Sequence, residues 1–505
     1  MKQFYIAVLL LCFGTIAQGA TRPNIVYILA DDLGYGDVQC MNPERSQIPT
    51  PHMDQLAADG MIFTDVHSSS SVCTPTRYGI LTGRYNWRTR LQKHVLYGFS
   101  APLLADDRLT VAELLKAQGY HTAAIGKWHL GLGIPTTNDK VASGNGNNVD
   151  WQGVITDGPV DHGFDYFYGI SASLDMPPYI YIENNRFVGE CTTVKQFHRP
   201  GPAEADFEAV NVLPDIAQKS VQYIQQQTVT EPFFMYIALT SPHTPILPAE
   251  DWQGRSQLGA YADFVMQTDA VIGQITEAID QAGLGQNTIV IVTSDNGCSA
   301  NRANYRALEK AGHFVSAQFR GSKADLWDGG HRVPFIVRWP AVVSAGAKSD
   351  ELLCLTDLMA TAAELSGATI PAGAGEDSIS FLPALTGRSI VSTRAGVVHH
   401  SIDGYFAYRA GKWKLLLARG SGGWTAPKEA QAIQAGAPMA QLYDMERDPG
   451  ETINLYNSHP EIANRLLQQL ESDVARGRST AGVRMNNDVD IVLWKERALA
   501  RMNNQ

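Results

Sequence analysis

Several short apolar runs in this chain have no polar residue at alternate positions, and each stops abruptly at carboxylates, amides or a histidine. Pro23 to Ala30 reads Pro-Asn-Ile-Val-Tyr-Ile-Leu-Ala and breaks at Asp31-Asp32. Phe233 to Leu239 breaks at Thr240-Ser241-Pro242-His243, and Thr288 to Thr293 breaks at Ser294-Asp295-Asn296-Gly297. A strand that is apolar throughout has no face for water and must be covered on both sides. Helices packed on both faces of a largely parallel sheet supply that cover. The intervening segments agree: Leu109 to Gln118 has helical periodicity before a short strand, His121 to Ile125, and Ala260 to Ala282 is a long helical stretch before the run at Thr288. The fold class is therefore α/β.

In open α/β sheets the ligand crevice lies just past the carboxyl ends of the strands. Asp31, Asp32, Lys127, His129, His243, Asp295 and Asn296 all fall there, so residues far apart in sequence are expected to converge. The Asp-Asp and Asp-Asn pairs offer hard oxygen donors, which suit Ca²⁺ or Mg²⁺ rather than zinc. One such pair is commonly a turn or a helix cap. Two of them, both at strand ends, form the pattern of a metal site.

A second informative stretch is Cys73-Thr74-Pro75-Thr76-Arg77, continuing to Leu81-Thr82-Gly83-Arg84. Ser68 to Ser71 form a poor helix, Thr74 offers a hydroxyl cap and Pro75 suits a first helical position, which puts Cys73 at a helix N-terminus. Exposed amides and the helix dipole favour anions there, and Arg77 adds a cation one turn on. A lone cysteine in this setting is usually structural; these neighbours point to chemistry.

The two halves of this stretch together resemble the active-site signature of the sulfatases. The similarity extends through Asn24 to Asp37, Gly126 to Gly131, Gly163-Phe164-Asp165, Ser294 to Gly297, Gly329-Gly330-His331-Arg332-Val333-Pro334, Leu442-Tyr443-Asp444 and Asp448-Pro449. The resemblance implies an alkaline-phosphatase-like mixed sheet sandwiched by helices, with a smaller C-terminal α+β domain built on an antiparallel sheet. It implies that a maturation enzyme oxidises Cys73 to formylglycine (3-oxoalanine), whose hydrate supplies the nucleophilic hydroxyl. It assigns calcium to Asp31, Asp32, the modified Cys73, Asp295 and Asn296. Arg77, Lys127 and Lys323 would hold the sulfate, and His243 with Lys323 would protonate the leaving oxygen. His129 would help deprotonate the second hydroxyl, which a serine would lack. Cations around the sulfate supply the preorganised electrostatic stabilisation that usually dominates such catalysis.

Two other functions use the same features: a phosphonate or phosphate ester hydrolase sharing this core, and an inactive protein that binds sulfated glycans. All expected catalytic positions are filled, which favours the enzyme. The run from Asp295 to Ser299, through Gly312-His313, to Phe319-Arg320-Gly321-Ser322-Lys323 resembles the bacterial sulfatases of sulfated polysaccharides, including galactose and N-acetylgalactosamine sulfates. Candidate sugar contacts are His94, Tyr97, Trp151, His162, Arg302, Arg306, His313 and Arg320.

At 505 residues the chain can bury a large core. Its net charge of -11 argues against nucleic acid or anionic membranes as partners, so an anionic substrate must meet a local basic pocket. Met1-Lys2-Gln3, an apolar run from Phe4 to Ile16 and Ala17-Gln18-Gly19-Ala20 read as a secretory signal peptide, which predicts a secreted or periplasmic protein. Setting Cys12 and Cys73 aside from the six cysteines leaves Cys40, Cys191, Cys298 and Cys354, an even number compatible with disulfides or with free buried thiols. The expected organisation is a signal peptide over 1–20, a catalytic α/β domain over 21–389 and a C-terminal α+β domain over 390–505. Within the first domain, Asn138 to Gly158 and much of Phe187 to Pro214 read as loops.

Overall fold

The strand Asn24–Ala30 is buried along its whole length and lies inside a ten-stranded sheet. The computed structural model describes residues 22–138 and 140–495; the segment expected to be a signal peptide, with Cys12, lies outside them. Asn24–Ala30 pairs in parallel with Thr288–Ser294 on one side and Phe233–Ala238 on the other. Parallel pairing continues from Phe233–Ala238 to His121–Lys127 and on to Tyr166–Ile170. These strands thus present their carboxyl ends at one edge. Beyond Thr288–Ser294 the sheet turns antiparallel through Phe335–Arg338 and Met61–Phe63, and beyond Tyr166–Ile170 through Ile182–Glu183 and Arg186–Phe187. It is a mixed sheet, as expected.

The absence of polar alternation is explained by two separate cores. Ile25, Tyr27 and Leu29 point into one, with Phe234, Tyr236, Ile289 and Ile291. Val26, Ile28 and Ala30 point into the other, with Met235, Ile237, Val290 and Val292. The first face is covered by the helices Cys73–Thr82, Val111–Lys116 and Leu358–Ser366, and the second by Pro51–Ala58, Ala209–Gln225 and Ala260–Gln281. Each large side chain buried this way contributes about 1.5–3 kcal/mol.

A separate four-stranded antiparallel sheet follows, in the order Val397–His400, Phe406–Ala410, Trp413–Leu416, Gln441–Asp444, with the helix Pro460–Ala475 packed on it. Its strand Trp413–Leu416 carries Lys414, fully buried, whose Nζ donates to Asp328 Oδ1 at 2.6 Å and Glu451 Oε1 at 2.8 Å. Tyr85 and Trp87, just after the cysteine helix, join the core of this sheet. The smaller sheet is therefore tied directly to the segments that flank the strand-end residues.

Two local readings are corrected. The Phe187 to Pro214 segment is not mainly loop: Cys191–Gln196 and Pro200–Glu204 form an antiparallel hairpin, and the helix Ala209–Gln225 begins before Pro214. Pro200, Gly201 and Pro202 disguise the second strand, which prolines enter because it lies at an edge of a two-stranded sheet. The cysteine helix also starts earlier than Thr74. Cys73 is its first residue after Val72, and the Thr74 hydroxyl accepts from the Leu96 amide at 3.2 Å instead of capping. Cys40, Cys73, Cys191, Cys298 and Cys354 are all free thiols. Among the described residues no helix is long and apolar enough to cross a membrane.

Candidate active site

Backbone geometry at the strand ends sets the positions of the polar residues. Asp31 and Asp32 follow Ala30, and the Asp295 amide donates to the Ala30 carbonyl at 3.1 Å, which holds the Asp-Asp and Asp-Asn pairs side by side. Two glycines allow this approach. A Cβ on Gly297 would meet the Gly329 carbonyl oxygen at 1.9 Å, and one on Gly126, at φ +114°, would meet the Ala238 carbonyl oxygen at 1.9 Å. The first brings the Asp295-Asn296 turn against Gly329-Gly330; the second seats Lys127 beside the central strands.

The side chains form one buried charge network. Lys127 Nζ donates to Asp31 Oδ2 at 2.6 Å, and Lys323 Nζ to Asp32 Oδ1 at 2.5 Å. Arg77 donates through Nε (3.0 Å) and Nη2 (2.7 Å) to Asp295 Oδ2, and through Nη1 to the Lys127 carbonyl at 3.1 Å. Cys73 Sγ lies 3.5 Å from Lys323 Nζ and 3.6 Å from Asp31 Oδ1. His243 Nε2 faces Asp32 Oδ2 at 3.6 Å, and its Nδ1–H donates to the Thr244 carbonyl at 2.5 Å. Asn296 Nδ2 donates to Asp32 Oδ1 at 2.7 Å, while its Oδ1 is buried without a partner. Asp31, Asp32, Cys73 and His243 bring one donor atom each within 4.8 Å of one another.

Charge counting shows what this network can accept. Three carboxylates (Asp31, Asp32, Asp295) face three permanent cations (Arg77, Lys127, Lys323), which leaves it near neutrality. The hard oxygens and the orphaned Asn296 Oδ1 fit a divalent cation, which would turn the balance positive and ready it for an anion. Burial by itself would raise the Asp31 pKa; Lys127, His243, Arg77 and Lys323 outweigh it and hold the carboxyl well below the usual range. Burial, with Asp295 next, pushes the Cys73 thiol up, so a thiolate is disfavoured here despite the helix N-terminus. His129 is buried, and burial together with Lys127 and Arg77 keeps it neutral. Its Nε2–H donates to the Leu96 carbonyl at 2.8 Å, leaving a buried Nδ1 lone pair without a partner.

Residues 23–368 match the family model described as Sulfatase, more than half of the chain. The chain is a sulfatase. Residues 322–477 match a second model, described as N-sulphoglucosamine sulphohydrolase, C-terminal. The sulfatase is 33% identical to an N-acetylgalactosamine-6-O-sulfatase of Bacteroides thetaiotaomicron, over 90% of this chain and 94% of that one. It is 32% identical to arylsulfatase A of Bos taurus, over 93% and 90%. A solved structure from work on the metabolism of multiple glycosaminoglycans by Bacteroides thetaiotaomicron superposes with a TM-score of 0.78 at 31% identity, covering 90% of this chain and 99% of that one. As a sulfuric ester hydrolase with this sheet, the sulfatase has the alkaline-phosphatase-like fold.

A cavity of about 440 Å³ opens onto Asp32, His243 and Lys323 of the sulfatase, and Arg302 lines it. The other expected sugar contacts lie elsewhere. His313 is fully buried: its Nε2 binds Asp37 Oδ1 at 2.8 Å and its Nδ1 accepts from the Gln47 amide at 3.1 Å, so it braces the fold and does not line this cavity. Arg320 stacks on Trp327 at 3.6 Å and donates to the Glu451 carbonyl at 2.8 Å; with Arg306 it borders a neighbouring cleft. His94 lines a third cleft. Trp151 packs edge-on against Phe187, and His162 is buried in the turn Pro159–His162, whose last carbonyl accepts from Thr110. Tyr97 is exposed and lies under the Arg199 guanidinium at 5.8 Å.

The cavity is completed by residues the sequence does not flag. Asp175, ion-paired with Arg199, forms one wall with His198, and Trp424 another. His198 and Arg199 sit at the turn of the proline-disguised hairpin, where no strand-end pattern marks them. Trp424 comes from the second sheet's region, anchored where Asp325 Oδ1 accepts from the amides of Trp424 (2.8 Å) and Thr425 (3.0 Å).

Proposed function

We propose that this sulfatase is exported and removes sulfate from a galactose- or N-acetylgalactosamine-type sugar of a sulfated polysaccharide or its oligosaccharides. The observation that carries the reading is Cys73 itself: a buried thiol, held away from ionisation, lies within 3.6 Å of both Lys323 Nζ and Asp31 Oδ1. A thiol so placed is a poor nucleophile as it stands, which supports its conversion to formylglycine. The carbohydrate class is supported by the relative that bears an N-acetylgalactosamine-6-O-sulfatase name. Export is supported by the amino-terminal apolar run.

Formylglycine at position 73, as its hydrate, would supply one hydroxyl able to attack sulfur as the bond to the leaving alcohol breaks, and a second whose deprotonation would restore the aldehyde and expel sulfate. The oxygens of Asp31, Asp32, Asp295 and Asn296 would hold calcium, which would supply positive charge beside the sulfate. Arg77, Lys127 and Lys323 surround the same space and stabilise charge as it moves to the leaving oxygen. His243, with Nδ1–H fixed by Thr244 and Nε2 turned toward Asp32, delivers a proton to that oxygen together with Lys323. A positioned acid of this kind contributes about 10²–10⁴ in rate. Neutral His129 accepts a proton at Nδ1, the nitrogen left open by its bond to Leu96.

The test is sulfate release from a panel of sulfated galactans, glycosaminoglycan oligosaccharides and an aryl sulfate, with protein whose residue 73 mass has been checked. Release from a carbohydrate, abolished by Cys73→Ala, is expected. Modified protein that cleaves phosphonate esters and releases no sulfate would overturn the reading.

A further inference from the structure

Beside the catalytic cavity lies a second cleft of about 840 Å³, and Trp424 lines both. The two are linked by a short relay of backbone bonds. Two residues before Cys73, the Ser71 carbonyl accepts from Ala324, the neighbour of Lys323, at 2.8 Å. The Ala324 carbonyl accepts from Ile402 at 3.2 Å, and the Ile402 carbonyl from His94 at 2.7 Å. Val72, Ala324 and Ile402 form one apolar cluster with Val95 against it. The cleft therefore shares its foundation with the residues that carry Cys73 and Lys323.

The charge of this cleft is opposite to that of the protein. In a chain of net charge -11, its walls gather Arg90, Lys93, Lys428 and Lys495, with His94. Two carboxylates face them, Asp403 and Glu429. Glu429 is already engaged by the amides of Arg419, Gly420 and Gly422. Arg90 donates to the carbonyls of Ala101 and Pro102, and Lys93, Lys428 and Lys495 form no ion pair with any described residue. Burial and the proximity of Lys93 lower the Lys495 pKa, as expected for two ammonium groups drawn together in a partly desolvated cleft.

We infer that this basic cleft is a second subsite, which takes a carboxylate or sulfate borne by a sugar next to the one being desulfated. The inference rests on the carbohydrate reading above and extends it. A glycan seated across Trp424 would place one anionic group among Arg77, Lys127 and Lys323 and the next among Lys93, Lys428 and Lys495. Unpaired cations in a cleft attract a polyanion and lose that advantage as salt screens them.

The experiment compares, on mature enzyme, the sulfated monosaccharide that wild type hydrolyses with its oligosaccharides whose neighbouring sugar is neutral, carboxylated or sulfated. Lys93→Glu/Lys428→Glu changes two exposed lysines and is paired with a control, Lys348→Glu/Arg465→Glu, at exposed positions outside the cleft. In wild type, an anionic neighbour is expected to lower KM, with the gain shrinking as salt is raised. The cleft variant is expected to lose about tenfold or more in kcat/KM on the anionic oligosaccharides, through KM, and to stay within about twofold on the monosaccharide. The carboxylated and sulfated arms show which anion is preferred. Equal losses on all substrates, equal losses in the control, or indifference of wild type to the neighbour would each overturn the subsite while leaving the carbohydrate reading intact. If wild type releases sulfate from an aryl sulfate and from no carbohydrate, both readings fall.

Discussion

Arginine and histidine side chains from a single segment of this sulfatase have opposite fates. Arg302 reaches the cavity that opens onto Asp32, His243 and Lys323, whereas His313 is sealed between Asp37 and Gln47. Arg302→Ala is therefore expected to lower kcat/KM for a sulfated glycan about tenfold while sparing a small aryl sulfate. His313→Ala leaves the Asp37 carboxylate short of a buried partner and is expected to cost about 1–3 kcal/mol of stability, with similar losses on both substrates. Thermal melts and paired kinetics separate the two; a glycan-selective loss in the histidine variant would restore it as a sugar contact. The residue types of the strand-end charge network were legible because Asp, Asn, Lys and His stop apolar strands, a pattern with a physical cause. Asp175, Arg199 and Trp424 were not, since no local pattern marks a polar side chain that reaches a cavity from a hairpin turn or from another sheet.

At the scale of elements, the site depends on close backbone passages. Gly297→Ala would drive a methyl group to within 1.9 Å of the Gly329 oxygen, and the turn bearing Asp295 and Asn296 would have to move. We expect about 1–3 kcal/mol of destabilisation and a loss of sulfate release larger than the melt accounts for. A variant that melts and turns over like wild type would show that the turn is not held by this contact. The strand Val397–His400 carries a buried histidine that is expected to contribute to the acid limit. Burial, then Lys495, lowers the His400 pKa to about 3, and neither ring nitrogen has a partner. The unfolded chain takes up this proton near pH 6.5, so the folded state binds fewer protons between those values. Stability is retained above about pH 6.5 and falls below it by about 1.4 kcal/mol per pH unit for this residue. Burial keeps His67, His331 and His399 neutral as well and steepens the decline. Replacing His400 with Phe, which suits its packing on Phe406, is expected to flatten the melting temperature between pH 6.5 and pH 4.5 and leave it unchanged near pH 8. An unchanged slope would assign the acid limit to other groups.

Across the whole molecule, three carboxylates from two strand ends are held together by cations that come from a helix, another strand end and a loop. Removal of a divalent ion held by these oxygens, as proposed above, is therefore expected to act on global stability as well as on turnover. With a ligand at about a hundred times its Kd, the linkage is worth about 2.7 kcal/mol. Chelator treatment of mature enzyme is expected to lower the melting temperature by several degrees and to abolish sulfate release, both restored by Ca²⁺. A melt indifferent to chelator would remove the metal from the Asp31, Asp32, Asp295 and Asn296 site.

The sequence by itself determined the sheet and its reactive edge. Uniformly apolar strands must be buried on both faces, and whatever polar residues end them must meet at one edge, whichever helices intervene. Only the tertiary structure decided what surrounds that edge. The hairpin carrying His198 and Arg199, the loop carrying Trp424 and the basic cleft beyond it are brought together by packing between elements far apart in the chain. A side chain's access to a cavity depends on neighbours that no local spacing records, which is why the same segment yields a cavity arginine at 302 and a buried brace at 313.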